Sequence, residues 1–457
     1  MNDLPLTIAE TQEGLKKKKF SAVELVDAYL ARIKKFDKEI NAFITVSEET
    51  AYNQAKKTNH QLPLYGVTVA HKDLFLTKGV RTTAGSKVLQ NYIPPYSATV
   101  VDRLEKAGCM MIGKTNCDAW GHGASGENSD FGSTKNPWNK KFSSGGSSSG
   151  SAVSIASNMS LVATGTDTGG SCRQPANFCS VVGFKPTYGA IPRYGVIATA
   201  SSLDCVGNIT HCVEDSERLF NIAKGGDNHD SNVKDGEYKS HVSRLKIGVP
   251  QEYFVRGMDR EVEKKVFEAI NVFEKAGLEI VKVSLPHTKY AISAYYIINP
   301  AEISSNLGRY DGIRYGGDRK NFRDEAKRRI MLGTYVLSAG YYEAYYLKAM
   351  KVRSVLIQDF DEVFKKVDAL ISPVSPTPPF KIGQKINDPL AMYLMDIFTV
   401  SANLAGIPAL VLPFGFNKNG LPLGFQLMGP RFGENTLFYL GKLFERLSDY
   451  KPQIAKL

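Results

Sequence analysis

No stretch of the chain approaches the roughly 18 consecutive apolar residues that a membrane-spanning helix needs, so no membrane protein is expected. The start, MNDLPLTIAETQEGLKKKK, carries an acid near its beginning, no long apolar run ahead of its lysines, and no arginine before Arg32. It does not read as a secretory or transit peptide, and a cytoplasmic location is the expectation. The six cysteines contain no C-x-x-C pair, and the seven histidines are scattered, with His211–Cys212 the one place where the two types adjoin. A chain of this size needs no disulfide staples, so neither a disulfide framework nor a zinc site is expected. There is no internal repeat.

What is present is a composition with 43% hydrophobic and 23% charged residues, which belongs to a folded chain rather than a disordered one. A length of 457 residues allows one large α/β domain or two or three smaller ones. The excess of 57 Lys and Arg over 46 Asp and Glu gives a net charge of +11. That favours acidic partners such as RNA without identifying one, since many basic proteins bind no nucleic acid. The run Lys16–Lys19 reads as a solvated helix end.

Along the chain, Ser21 and Glu24 form a capping-box pattern ahead of apolar Val23, Leu25, Val26, Tyr29 and Leu30, so residues 1–60 read as a helical cover. From Leu62 short apolar runs (LYGVTVA, CMMIG, SLVATG) alternate with helical stretches such as SATVVDRLEKAG, the texture of an α/β sheet. Residues 61–224 form the expected catalytic core, and polar 225–236 (GGDNHDSNVKDG) the best loop candidate. Residues 237–457 continue the sheet. LKIGVP, the amphipathic segment Asp259–Ala276 closed by Gly277, and LEIVKVSLP read as strand–helix–strand. Tyr- and Lys-rich helices fill 324–366, and ALISPV, IPALVLPFG and LPLGFQLMG read as strands. The whole chain is expected to be one domain.

Two motif matches fail on context. Gly108 to Thr115 fits the G-x-x-x-x-G-K-[ST] phosphate loop, but a helix precedes its first glycine and Cys-Met-Met-Ile is itself an apolar strand, so a helix–Gly–strand joint is expected. Gly146 to Gly150 fits the G-x-S-x-G nucleophile elbow centred on Ser148, but no strand leads into it. A Ser-His-Asp hydrolase would draw on His211, His229, His241 or His287, and nothing favours one of them.

The segment FSSGGSSSGSAVSIA (142–156) looks at first like a flexible linker, yet it runs straight into a helical segment and a strand. It is followed by SLVATGTDTGGSCRQPANFCSVVGFKPTYG. In Thr166-Asp-Thr-Gly-Gly-Ser171 two glycines after a strand allow a tight turn whose amides converge on one point, an oxyanion site with Ser171 placed to attack. Such a serine needs a base, and the next histidine is His211. Lys72, at the end of the apolar strand YGVTVAHKD, is the alternative: burial there would lower its pKa and leave it neutral, with a second serine relaying the proton.

These segments together, with GTDTGGS, RQPANFC and GFKPTYG, resemble the amidase signature family over nearly the whole chain, with Lys72, Ser147 and Ser171 at the family's intervals. The resemblance implies a central mixed β-sheet covered by helices on both faces. It makes Lys72 the base, cis-peptide Ser147 the relay and Ser171 the acyl-forming nucleophile, with amides of Thr168, Gly169 and Gly170 holding the oxyanion. The sequence departs from the family at Ser149, where Gly is usual, and at AWGHGASGENS (119–129), where FAMGSSTENS is commoner.

PRYGVIATASSLD, AEISSNLGRYDGIRYG, AKRRIMLGTYVLSAGYYEAYY and MYLMDIFTVSANLAGIPAL are similar to the branch that serves as A subunits of tRNA-dependent amidotransferases. That implies hydrolysis of glutamine to supply ammonia for Glu-tRNA(Gln) or Asp-tRNA(Asn), in a heterotrimer with B and C subunits. No cofactor is implied in this chain, and ATP and Mg belong to a partner. Asp396 is the sole Asp, Glu, Lys or Arg between Pro389 and Asn417, and a carboxylate there needs a positive or donor partner. The resemblance makes that partner the substrate's α-ammonium. It assigns the α-carboxylate to Arg329 (or its neighbour Arg328) and the pocket wall to Tyr295 (or Tyr296). The competing readings are a stand-alone amidase for a small or aryl amide, and a binding protein that has lost catalysis.

Overall fold

Inner strands with every side chain buried dominate the computed structural model, which describes residues 4–234, 236–238, 244–385 and 388–457. Among these, eleven strands form one sheet: β1 (Phe43–Val46), β2 (Thr68–Lys72), β3 (Met110–Thr115), β4 (Val162–Asp167), β5 (Val182–Lys185), β6 (Cys205–Thr210), β7 (Lys246–Pro250), β8 (Glu279–Val283), β9 (Ala369–Ser372), β10 (Ala409–Phe416) and β11 (Pro422–Met428). Their order is β1-β3-β2-β4-β6-β5-β10-β11-β9-β7-β8. β2 runs parallel to β3 and β4, β7 parallel to β8 and β9, and the remaining pairs are antiparallel, so the sheet is mixed. Helices flank it. All residues of β2, β3, β4 and β6 are buried, which is why the first three read as short apolar runs rather than alternating ones, whereas β6, Cys205–Thr210, was not among the strands expected.

The N-terminal helices Ile8–Lys16, Ala22–Ile40 and Glu48–Lys57 cover one end of the sheet, and Ser21 and Glu24 exchange both bonds of a capping box. A helical cover is not the whole account of this segment: Phe43–Val46 adds the edge strand β1, pairing antiparallel to β3. Four residues, one of them buried, leave too short a pattern to read.

At Gly108, helix Thr99–Lys106 leads directly into β3, and Lys114 is fully buried against Asp73 Oδ1 at 3.1 Å, an architecture with no open phosphate loop. The segment 225–234 carries no helix or strand, and Arg193 Nε ties it down by donating to Asp230 Oδ2 at 2.8 Å. Position 235 lies outside the described residues. Beyond it, β7, helix Arg260–Lys275 and β8 form the parallel unit, with Asp259 capping the helix through the amides of Glu261 and Val262.

Candidate active site

Lys72 closes β2 and Asp167 closes the parallel neighbour β4, so both chain exits open at the same edge of the sheet. After β4 the chain turns through Thr168–Cys172 into helix Arg173–Cys179. The Gly/Ser run enters from the side and becomes helix Ser149–Ala156. It is locked there by Ser148 N–H donating to the Ser171 carbonyl at 3.1 Å and Gly146 N–H donating to Gln174 Oε1 at 3.1 Å. The Gly146–Ser147 peptide bond is cis.

Lys72 Nζ is fully buried and donates to Ser147 Oγ at 2.7 Å, Ser148 Oγ at 3.0 Å and Thr166 Oγ1 at 2.8 Å. Among the described residues the nitrogen therefore meets three hydroxyls and no carboxylate; as a neutral amine it donates to two of them and accepts from the third. Burial pushes its pKa down, against the attraction of more distant groups such as Asp118 and Asp167. Ser147 is 1% exposed and Ser171 8%, and among the described residues the Ser171 hydroxyl makes no hydrogen bond. The arrangement can move a proton from a serine hydroxyl to a neutral lysine while leaving Ser171 accessible.

Two serines of the Gly/Ser run, Ser148 and Ser149, answer questions the sequence left open. Ser148, the elbow candidate, holds Lys72, and no histidine bonds it among the described residues. Ser149 points the other way, to Asn116 O at 3.4 Å and Thr134 Oγ1 at 3.2 Å, so its hydroxyl does not compete at the lysine. Thr166 was not anticipated. Of the four histidines considered, His211 is buried, which lowers its pKa to about 4, His229 stacks on Tyr194, and His287 pairs with Asp359. His241 lies outside the described residues.

The turn carrying Ser171 is shaped by Asp167, which sequence reasoning passed over. Its carboxylate accepts from the amides of Gly170 (2.9 Å) and Cys172 (3.1 Å), from Arg173 Nε (3.0 Å), and from Asn403 Nδ2 (3.0 Å). Burial alone would raise its pKa, but the Arg173 guanidinium and these donors bring it down to about 2. Arg173 is equally buried and also donates to Gln426 Oε1, the Thr399 carbonyl and Asn403 Oδ1.

This network corrects one expectation: the Gly170 amide is already taken by Asp167, so it is not free to hold an oxyanion. Among the described residues, the amides of Thr168, Gly169 and Ser171 itself have no hydrogen-bond partner. Both glycines are required sterically. A Cβ on Gly170, at φ +138°, would fall 2.4 Å from Thr399 Oγ1, and one on Gly169 would fall 2.5 Å from the Tyr295 hydroxyl.

That contact fixes Tyr295 against the turn. Its neighbour Tyr296, on the same helix Ala291–Leu307, lines a cavity of about 420 Å³ together with His122, Glu127, Arg328, Arg329 and Tyr393. Tyr296 donates to Asp396 Oδ2 at 2.8 Å, and burial raises the Asp396 carboxyl to about 7. Asp396 has no ion-pair partner among the described residues, and its side-chain donor there is a tyrosine. Through its carbonyl, which accepts from Thr399 Oγ1 at 3.1 Å, it is one step from the Gly169 carbonyl that the same hydroxyl bonds at 2.5 Å.

Arg329 is 5% exposed, while Arg328 is half-buried and pairs with Glu325. Arg329 Nε donates to Glu325 Oε1 at 2.7 Å and Nη1 to Asn299 Oδ1 at 2.7 Å. Its guanidinium lies 5.7 Å from the ring of Tyr296 and 5.8 Å from that of Tyr393, two rings stacked at 3.8 Å. Neither Ser147 nor Ser171 lines this cavity. The two are linked through Gly121, where a Cβ would be 3.7 Å from Ser147 Oγ, and the adjoining His122, which is in the cavity wall.

The amidase family profile matches residues 24–438. The A subunit of the glutamyl-tRNA(Gln) amidotransferase of Carboxydothermus hydrogenoformans is 48% identical, with 99% of each chain covered. The protein of the same name from Geobacter metallireducens is 47% identical, covering 98% of this chain and 99% of its own. Among solved structures, the Thermotoga maritima protein of that name superposes with a TM-score of 0.86 at 40% identity, over 100% of this chain and 99% of that one. A bacterial aryl acylamidase of the amidase signature family gives the same TM-score of 0.86 at 25% identity, over 97% and 96%. The chain belongs to the amidase family, in the branch whose named members are A subunits of the glutamyl-tRNA(Gln) amidotransferase.

Proposed function

We propose that this chain hydrolyses the side-chain amide of glutamine and supplies the ammonia to a tRNA-dependent amidotransferase. The observation that carries the chemical part is Lys72 Nζ, fully buried, unpaired with any carboxylate among the described residues, and 2.7 Å from Ser147 Oγ. Burial lowers the cost of the neutral form of a lysine so placed, the form in which it can act as base.

Ser147 passes its proton to Lys72 and takes one from Ser171, whose oxygen attacks the amide carbon. The carbonyl oxygen takes up the negative charge in front of the Thr168, Gly169 and Ser171 amides. Collapse breaks the carbon–nitrogen bond while the proton returns from Lys72 through Ser147 to the leaving nitrogen, releasing ammonia. Water then attacks the ester on Ser171 by the same relay, giving glutamate. The substrate's α-carboxylate meets Arg329 and its α-ammonium meets Asp396. Those two charges favour glutamine over an aryl amide, which needs neither.

The names of the relatives support B and C subunits as partners, with this chain in a heterotrimer acting on mischarged tRNA. ATP and Mg would be used by a partner chain, and the complex would be cytoplasmic. Among the described residues no helix is long and apolar enough to cross a membrane. The test is ammonia release from glutamine by the chain alone, then with B and C subunits and Glu-tRNA, with Ser171→Ala as the blank. Stimulation by the partners is expected. Brisk partner-independent hydrolysis of simple amides with glutamine ignored would make the protein a stand-alone amidase.

A further inference from the structure

The cavity beside the triad contains a side chain that neither the proton relay nor the two head-group contacts use. His122 is fully buried in its wall, and neither ring nitrogen has a hydrogen-bond partner among the described residues. An unpaired buried imidazole is costly, and in a cavity wall its natural partner is a ligand. Burial, and then the nearby Arg329 charge, push its pKa well below the usual histidine range, so it stands there neutral, with one N–H to give.

Arg329 shows what that donor is for. An arginine that grips a carboxylate normally offers two parallel N–H groups, one to each oxygen. Here Nε is committed to Glu325 and Nη1 to Asn299, leaving Nη2 as the one guanidinium nitrogen without a partner among the described residues. Arg329 can therefore serve one carboxylate oxygen well and needs help with the other. A neutral imidazole supplies it without adding a second positive charge beside the first. A dianionic phosphate fits the same wall poorly, because Glu127 and Glu325 also line it.

We propose that His122 is a second contact for the substrate's α-carboxylate, donating to the oxygen that Arg329 does not hold. This rests on the glutamine reading above. It also accounts for the departure at AWGHGASGENS, where FAMGSSTENS would put another residue in the place of His122: this chain's clamp is shared between an arginine and a histidine.

The experiment compares the full-length chain, assembled with its B and C subunits, as wild type, H122M and H122Q. Each is assayed on glutamine and on γ-aminobutyramide, which keeps the ammonium and the amide but lacks the carboxylate. H122M is expected to raise the glutamine KM roughly ten- to a hundredfold, the span of a lost hydrogen bond to a charged group. Its kcat/KM for γ-aminobutyramide should fall far less. H122Q, which retains an N–H, should recover part of the loss and guards against a folding defect in H122M. An unchanged glutamine KM in H122M, or equal losses on both substrates, overturns the assignment while leaving the glutamine reading intact. A wild-type complex that turns over γ-aminobutyramide as well as glutamine removes the carboxylate subsite and both readings with it.

Discussion

Thr166 Oγ1 lies 2.8 Å from Lys72 Nζ and, with the Ser147 and Ser148 hydroxyls, offers three acceptors, which the protonated lysine with three N–H groups can fill and the neutral one with two cannot. Thr166 sits on β4, one residue before Asp167, so the strand that leads into the Ser171 turn also meets Lys72, the base of the proposed mechanism. Replacing Thr166 by Val removes one acceptor from the charged form and disfavours it further. The acid limb of the kcat/KM profile should therefore move to lower pH, with the fold retained. A profile that moves upward or stays fixed would show that Thr166 does not tune the lysine.

Asp396 carries a prediction of opposite sign in stability and function. Its carboxyl is raised by burial from an ordinary value of 3.8 to about 7, so the folded state binds its proton more tightly than the unfolded state does. Stability from this group is therefore lost as pH rises from about 4 to about 7. Asp396→Asn should melt higher than wild type at pH 8 and close to it at pH 4, as a thermal unfolding series would show. In the same variant the glutamine KM should rise at least tenfold. For wild type, the glutamine KM should climb as pH falls below about 7, because the protonated carboxyl no longer attracts an ammonium.

Arg329 and Arg328 are adjacent and both pair with Glu325, yet Arg329 alone is buried and alone donates to Asn299. Arg329→Ala should raise the glutamine KM far more than that of γ-aminobutyramide, and Arg328→Ala should have the smaller effect. Steady-state kinetics of both variants on both substrates decide this, and equal losses on the two amides would remove Arg329 from the head group.

The Asp167–Arg173 pair is fully buried. Removing one partner of such a pair strands the other charge, at a typical cost of about 3–5 kcal/mol. Arg173→Met should lower the denaturation midpoint by a corresponding amount and abolish turnover, since Asp167 would no longer be held on the Gly170 and Cys172 amides. A variant that is fully stable but inactive would mean that the pair serves chemistry alone.

Much of this was legible because local signals and global fold agree. β2 and β4 announce themselves as apolar runs ending in Lys72 and in GTDTGGS, and the capping box at Ser21 and the Asp259 cap mark their helices where the residues are contiguous. What escaped reading is carried by contacts between distant segments. Gln426 and Asn403 complete the network around Arg173 from more than two hundred residues away, and no periodicity reports that. The Gly170 amide looked free in sequence because its acceptor, Asp167, reads as an ordinary residue at a strand end. Tyr295 and Tyr296 are adjacent on one helix and differ only in which way each faces, a matter of helix rotation against the Ser171 turn. His122 carried one visible signal, its departure from the family's FAMGSS pattern, but the meaning of that departure required the empty bonds of its ring and the divided fork of Arg329.

The most direct test of the chemistry is a rapid quench of the complex with glutamine, followed by intact-mass and peptide analysis. A glutamyl ester is expected on the peptide containing Ser171, formed together with the first equivalent of ammonia, and absent in Ser171→Ala, which releases no ammonia. An adduct on another residue, or continued ammonia release by Ser171→Ala, would contradict the assignment of Ser171 as nucleophile.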